Sequence, residues 1–306
     1  MNKRYSRKTY WEILKDVFNS FVEDNPMLYA SNIAFYTIFS LPAALIIIIT
    51  VAGEFFAEEA VTGELYFQVK GLVGPESAKE IQNIIEKTSK SETGFIATII
   101  GIATLIFSAT TVFVSIQVAL NAIWKVKPVP KKGYIKFLLD RISSFALVVT
   151  FGFLMMISLV LDAILAAFQN ILKEIFSGVT FYVMEVANFA ISFIVIATIF
   201  AMIYKFLPDA KLRWSDVRIG AVITTVLFIL GKFLISFYIG NSDFEDTYGA
   251  AGSLVAILMW VYYSSVILLL GAAFTQAYAK SRGRIIRPSK HAVKIEVKEV
   301  ELESGK

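Results

Sequence analysis

The sequence predicts an all-α, polytopic membrane protein of six transmembrane helices, with an N-terminal amphipathic helix and a helical cap on the outer side. Three observations predict it. Six long apolar runs lie between Ala30 and Ala279. Only 18% of the 306 residues are charged and 57% are hydrophobic, against ~25% charged in a soluble domain. Lys and Arg fill every second loop, the pattern in which cationic loops stay in the cytoplasm.

Residues 1–24 come first. Tyr10, Ile13, Leu14, Val17, Phe18, Phe21 and Val22 recur at helical spacing, with Lys3, Arg4, Arg7 and Lys8 upstream. Such a helix either lies on the cytoplasmic leaflet or packs against the bundle. Asn25 and Pro26 end it, Pro being favoured in a first helical turn. The polar start does not read as a cleavable signal, so the first span is the expected insertion signal.

A helix rising ~1.5 Å per residue needs ~20 apolar residues to cross a hydrocarbon core of ~30 Å. The spans fall at about residues 28–53, 94–122, 142–168, 180–204, 217–240 and 248–279 of a domain covering 25–280. The fifth carries the weakest signal because Lys232 interrupts it. Residues 54–92 form the outer cap, in which Pro75 marks a helix start and Ile81, Ile84 and Ile85 give an apolar stripe. It either has a role of its own or merely covers the bundle end. Residues 281–306 are a charged cytoplasmic tail, of which Arg287 to Lys306 is expected to be disordered or loosely attached.

Basic residues number 5 before the first span, 6 over Lys125–Arg141, 4 over Lys205–Arg218 and 8 from Lys280 onward. The other loops hold 4, 1 and none. Both termini are therefore expected in the cytoplasm of a bacterium, the protein being multi-pass in its inner membrane. The net charge of +4 points to the lipid bilayer and its anionic headgroups. Nucleic acid is not expected, since no soluble domain offers a folded basic face. Without cysteine there is no disulfide or thiol chemistry.

Charges at apolar depth are functional candidates, because each costs ~2.5 to 3.5 kcal/mol to insert. Asp162, Glu185 and Lys232 fall in the outer half of their spans. Either Lys232 faces the bundle and pairs with one carboxylate in an outward-facing polar cavity, or it snorkels to the interface. Tyr36, Ser40 and Pro42 cluster in the first span, where Pro42 is expected to kink or break the helix, beside a substrate path or as a packing kink. Trp260 falls mid-span and either packs or lines a cavity. Gly249, Gly252, Ser253 and Gly271 are small residues expected to let helices approach closely.

Several short motifs in order resemble the YihY/BrkB family of bacterial inner-membrane proteins, whose older members bore a ribonuclease BN label. They are Ala30 to Tyr36 with Ser40, Leu41 and Pro42; Ala119, Leu120, Asn121, Ile123 and Trp124; Leu207, Pro208 and Trp214 before Gly220 and Ala221; and Tyr248 to Ser253, Trp260, Tyr262, Ser264, Leu270, Gly271 and Ala272. The resemblance implies six helices with cytoplasmic termini and an envelope or export function, some relatives being linked to lipid traffic or serum resistance. Relatives typically carry Glu where this chain has Ala273, so no role of that carboxylate carries over. Asn121 joins the candidate residues through this motif.

The function expected is transport or export of a lipid-like amphiphile or small solute through the polar cavity. The alternative is a non-transporting envelope scaffold. An enzyme is not expected: the sole histidine is His291, and no metal-ligand cluster, HExxH or GxSxG pattern occurs. Neither a cofactor nor a metal is implied.

Overall fold

A computed structural model describes residues 10–53, 95–129, 133–150, 154, 179–240 and 252–296, with backbone alone over 10, 41–53, 95–102, 105, 179–185, 188, 236–237, 239–240 and 253. The expected cap, most of the expected third span, Asp162, Gly249 and the last ten residues lie outside the described residues.

Helix α1 is Tyr10–Glu23 and α2 is Pro26–Gly53. Ile13 and Val17 of α1 are buried, while Trp11, Phe18 and Val22 are exposed. One stripe thus packs against the bundle and the other faces outward. Asn25 takes a left-handed φ of 48°, which Asn tolerates because its short amide bonds locally. α2 runs without interruption through Pro42, so the expected break does not occur.

Next come α3 (Phe95–Ile123), β1 (Val126–Pro128), α4 over 133–150, α5 (Val179–Phe206), β2 (Ala210–Lys211), α6 (Trp214–Gly240), α7 (Gly252–Ser281), β3 (Arg287–Pro288) and β4 (Ala292–Lys294). Among the described residues four helices are long and apolar enough to cross a membrane: Ile106–Ile123, Phe189–Phe206, Trp214–Ile235 and Leu254–Ser281. They occupy the second, fourth, fifth and sixth expected positions, and α2 and α4 begin at the first and third. Large apolar side chains such as Phe39, Phe189, Leu230, Phe233 and Leu234 point outward, as lipid-facing surface requires and water-facing surface avoids.

The third helix begins earlier than expected. α4 starts at 133 rather than about 142, so Lys136, Asp140 and Arg141 are helical and not loop residues. Their charges are accommodated by partners on α3 and the α5–α6 loop, which local hydropathy does not register.

α7 is the hub and packs against α1, α2, α3 and α6, while α2 packs on α3 and α5 on α6. Between α6 and the antiparallel α7, two glycines and two threonines interlock. A Cβ on Gly220 would sit 1.9 Å from Thr275 Oγ1, and one on Gly271 would sit 1.8 Å from Thr224 Oγ1 and 2.5 Å from the Tyr204 hydroxyl. Each threonine hydroxyl donates back along its own helix, Thr224 to Gly220 O and Thr275 to Gly271 O, both at 2.7 Å. Tyr204 of α5 donates to Leu268 O at 2.7 Å, and Trp124 Nε1 donates to Ala272 O at 3.0 Å. Both rings are fully buried.

At one end of the bundle, here the basic end, the tail is not loose. β4 pairs antiparallel with β1, and β3 with β2. Val129 N donates to His291 O at 2.7 Å, Ser289 N to Asp209 O at 2.8 Å and Ile295 N to Lys125 O at 2.9 Å. Lys294 Nζ caps Trp124 O at 2.6 Å. The expectation of a disordered tail is therefore corrected for residues 287–295. Two short loops leave backbone donors and acceptors that need partners, and the tail supplies them across more than 75 residues of sequence.

Because no room exists at Gly271, Gly271→Ala is expected to overpack the α5–α6–α7 contact and cost ~1–3 kcal/mol. The unfolding midpoint in detergent should fall for this variant and stay unchanged or rise for Gly133→Ala, whose Cβ would meet nothing within 4 Å.

Candidate functional site

A polar seam runs between α3 and α4 from the basic end into the bundle. On α3, Gln117 lies one turn from Asn121 and Thr110 two turns further, on one face. On α4, Lys136, Asp140 and Ser144 share a face at intervals of four, with Arg141 beside them. From Asn121 to Thr110 is eleven residues of helix, about 16 Å, or half of a ~30 Å hydrocarbon core.

The lower part of the seam centres on Asp209 in the α5–α6 loop. Its Oδ2 accepts from Asn121 Nδ2 at 2.9 Å and Gln117 Nε2 at 3.2 Å, and its own backbone N–H donates to Asn121 Oδ1 at 2.8 Å. Lys136 Nζ lies 2.9 Å from both Asp209 Oδ1 and Asp140 Oδ1. Burial works to lower the pKa of the Lys136 ammonium. Hydrogen bonds and charge from Asp209 and Asp140 outweigh it and hold the group above its ordinary value.

Deeper in, Arg141 Nη1 donates to Phe107 O at 3.0 Å, Thr110 Oγ1 at 2.9 Å and Thr111 Oγ1 at 3.0 Å. The guanidinium stands 4.0 Å from the Phe107 ring centroid and 5.2 Å from that of Phe137, within cation–π range. It makes no ion pair among the described residues. Among the described residues, Arg141 Nε and Ser144 Oγ are buried with no hydrogen-bond partner. The contacts of Arg141 lie near the middle of the 29-residue α3, so this cation sits at mid-helix depth. On the outward side, Phe107, Phe137, Leu138 and Ile142 are exposed. Among the described residues the seam therefore carries two carboxylates and one ammonium near the basic end and one cation without a carboxylate partner inside. That arrangement can attract an anionic group from an apolar surround.

Of the residues singled out from sequence, Asn121 alone belongs to this seam. Tyr36 is partly exposed beside Phe35, Ser40 is buried on α2, and Lys232 is partly exposed on α6. Trp260 is buried edge-on against Phe228 at 6.0 Å. Among the described residues, no hydrogen bond or ion pair joins these side chains to one another. The side chains of Pro42, Glu185 and Ser253 lie outside what is described, as does Asp162. Gly252 is buried at the start of α7, and Gly271 faces Thr224 and Tyr204. Sequence reasoning missed Asp209, Gln117, Lys136, Asp140 and Arg141. The Lys136–Asp140 spacing of four, an ion-pair spacing on a helix, was the available signal. Counting Lys125–Arg141 as one basic loop concealed it. Among the described residues no group of three His, Cys, Asp or Glu is placed to hold a metal ion.

A protein-family model described as virulence factor BrkB matches residues 17–296. A UPF0761 membrane protein of Verminephrobacter eiseniae is 27% identical over 286 residues, covering 91% of this chain and 64% of its own length. UPF0761 membrane proteins of Pseudoalteromonas atlantica and Xanthomonas campestris are each 25% identical, covering 82% and 87% of this chain and 81% and 60% of their own lengths. The chain thus spans less than two thirds of the Verminephrobacter and Xanthomonas relatives. No solved structure matches the chain.

Asp209→Ala is expected to leave Asn121, Gln117 and Lys136 short of an acceptor and to cost about 2 kcal/mol, since an unmet buried polar group costs ~1–3 kcal/mol. The Lys136 pKa is raised on folding. Its contribution is therefore complete below the unfolded value of ~10.4 and lost as pH rises through the folded value. The melting midpoint should hold up to about pH 10 and fall above it, and the fall should shrink in Lys136→Met.

Proposed function

Since the chain belongs to the virulence factor BrkB family of membrane proteins, we propose that it transports or exports a lipid-like amphiphile or small solute bearing an anionic group, along the α3–α4 seam. The observation that carries this reading is Arg141. A cation at membrane depth costs ~2.5–3.5 kcal/mol, and here it rests on a carbonyl, two hydroxyls and two rings rather than a carboxylate. An anionic headgroup offers it the missing counter-charge, and its unpartnered Nε a further acceptor. The apolar chains of the same ligand match the exposed Phe137, Leu138 and Ile142.

In this reading the protein lies in the bacterial cytoplasmic membrane with its basic end and both termini inside. The carboxylates around Lys136 then repel an anion at the basic end, while Arg141 holds it within the membrane. No bond is made or broken in the substrate. The interlocked α6 and α7 act as the fixed part against which the α3–α4 pair works.

A second reading, an envelope scaffold, is favoured by the tail ribbons that tie the basic end together. Reconstitution in proteoliposomes separates the two. Headgroup-labelled phosphatidylglycerol should cross faster than labelled phosphatidylcholine. Arg141→Ala should slow the protein-dependent rate by about tenfold or more, ~1.4 kcal/mol, with Arg141→Lys intermediate and both variants folded by thermal melt. A rate equal to wild type in Arg141→Ala overturns the role given to Arg141. Absence of protein-dependent movement for lipids and small anions alike leaves the scaffold.

A further inference from the structure

We propose that a second site, at the basic end, binds the phosphate group of an anionic ligand. A cleft of about 480 Å³ opens between β2, the start of α6 and the segment that follows α7. Four cationic side chains line it, Lys211, Arg213, Arg284 and Arg287, against one carboxylate, Asp216. Arg284 is aimed inward by the turn that ends α7: Gly283 adopts a φ of 69°, and Arg284 N returns to Ala279 O at 2.9 Å. Its guanidinium already pairs with Asp216 and donates to Ser215 Oγ at 2.7 Å. That pairing uses the carboxylate. Lys211, Arg213 and Arg287 form no ion pair among the described residues.

The register makes the charge excess costly. Lys211 and Arg287 stand directly opposite each other in the β2–β3 ribbon, and like charges so placed destabilise a strand pair. The ribbon has only two residue pairs with which to offset that repulsion. An anion between the two side chains turns the repulsion into two charge-assisted contacts, and a phosphate suits the planar fork of arginine. The first turn of α6 borders the same cleft through Asp216, and the helix dipole adds to the positive potential.

The surroundings place the cleft at the level of a membrane surface. Phe206 and Trp214, both exposed, meet edge-on at 5.9 Å beside it, as interfacial aromatics do. Ile285 between the two lining arginines is exposed as well. The phosphate has two sources with this chemistry, an acidic phospholipid headgroup or a soluble phosphorylated molecule. None of these residues belongs to the α3–α4 seam, so this site stands or falls apart from the transport reading.

The test compares thermal unfolding of the full chain in nanodiscs of phosphatidylcholine with and without phosphatidylglycerol. Wild type should gain about 3 °C or more from the anionic lipid. The gain should shrink in Lys211→Gln/Arg287→Gln and be kept in Lys127→Gln. In phosphatidylcholine alone the double variant should melt at or above wild type, because its repulsion is gone. A gain reproduced by millimolar glycerophosphoglycerol or inorganic phosphate without anionic lipid assigns the site to a soluble phosphate. A gain from the lipid alone assigns it to the membrane. No gain from any of them, or an equal gain in the double variant, overturns the site.

Discussion

The close approach of α6 and α7 at Gly220, Thr224, Gly271 and Thr275 is the contact on which the other arrangements depend. In lipid, apolar surface gains nothing by leaving its solvent, so helices are held by close packing and by hydrogen bonds. Two glycines on facing helices each receive the other's threonine, and each threonine hydroxyl is satisfied within its own helix. The same stretch of α7 then accepts Tyr204 from α5 at Leu268 O and Trp124 from α3 at Ala272 O. Three helices are thus referenced to about two turns of α7.

The seam follows from that anchoring. With Trp124 fully buried and bonded, the end of α3 has a set height, and Asn121 and Gln117 are presented at the level of the α5–α6 loop. Asp209 from that loop meets them and draws in Lys136 of α4. Registering α4 on Lys136 leaves Arg141 alongside Phe107, Thr110 and Thr111. A cluster of two carboxylates and one ammonium near the basic end therefore positions a cation at depth. Net negative charge at one end and a cation deeper in is the electrostatic character of this pair of helices.

At the basic end the loops are too short to satisfy their own backbones, and the chain after α7 does so in two antiparallel ribbons. Pairing by backbone alone is blind to side-chain charge, which is how Lys211 comes to face Arg287. On the opposite ribbon Lys127 faces Val293 and Lys294 faces Val126, so no such opposition arises there. Of the two ribbons, the shorter, β2–β3, is the one that sets two cations directly opposite each other.

Hydropathy and charge are local, one-dimensional quantities, and what depends on them was legible in the residues. Asn25 and Pro26 mark the α1–α2 junction, α3 ends within one residue of its expected limit, and the segments rich in Lys and Arg do gather at one end. The candidate site was legible only at Asn121. Its partner Asp209 lies 88 residues away, and Arg141 lies 31 residues from Thr110; neither pairing leaves a trace in local periodicity. By itself the sequence determined that the chain is a helical membrane protein and, to within a few residues, where α2 begins and where α3, α5 and α6 lie, though not where α4 begins, because crossing lipid requires apolar length and satisfied backbone. Only the tertiary structure decided which charges neutralise one another and which stand alone, because that depends on how the helices are set against each other by contacts far apart in the chain.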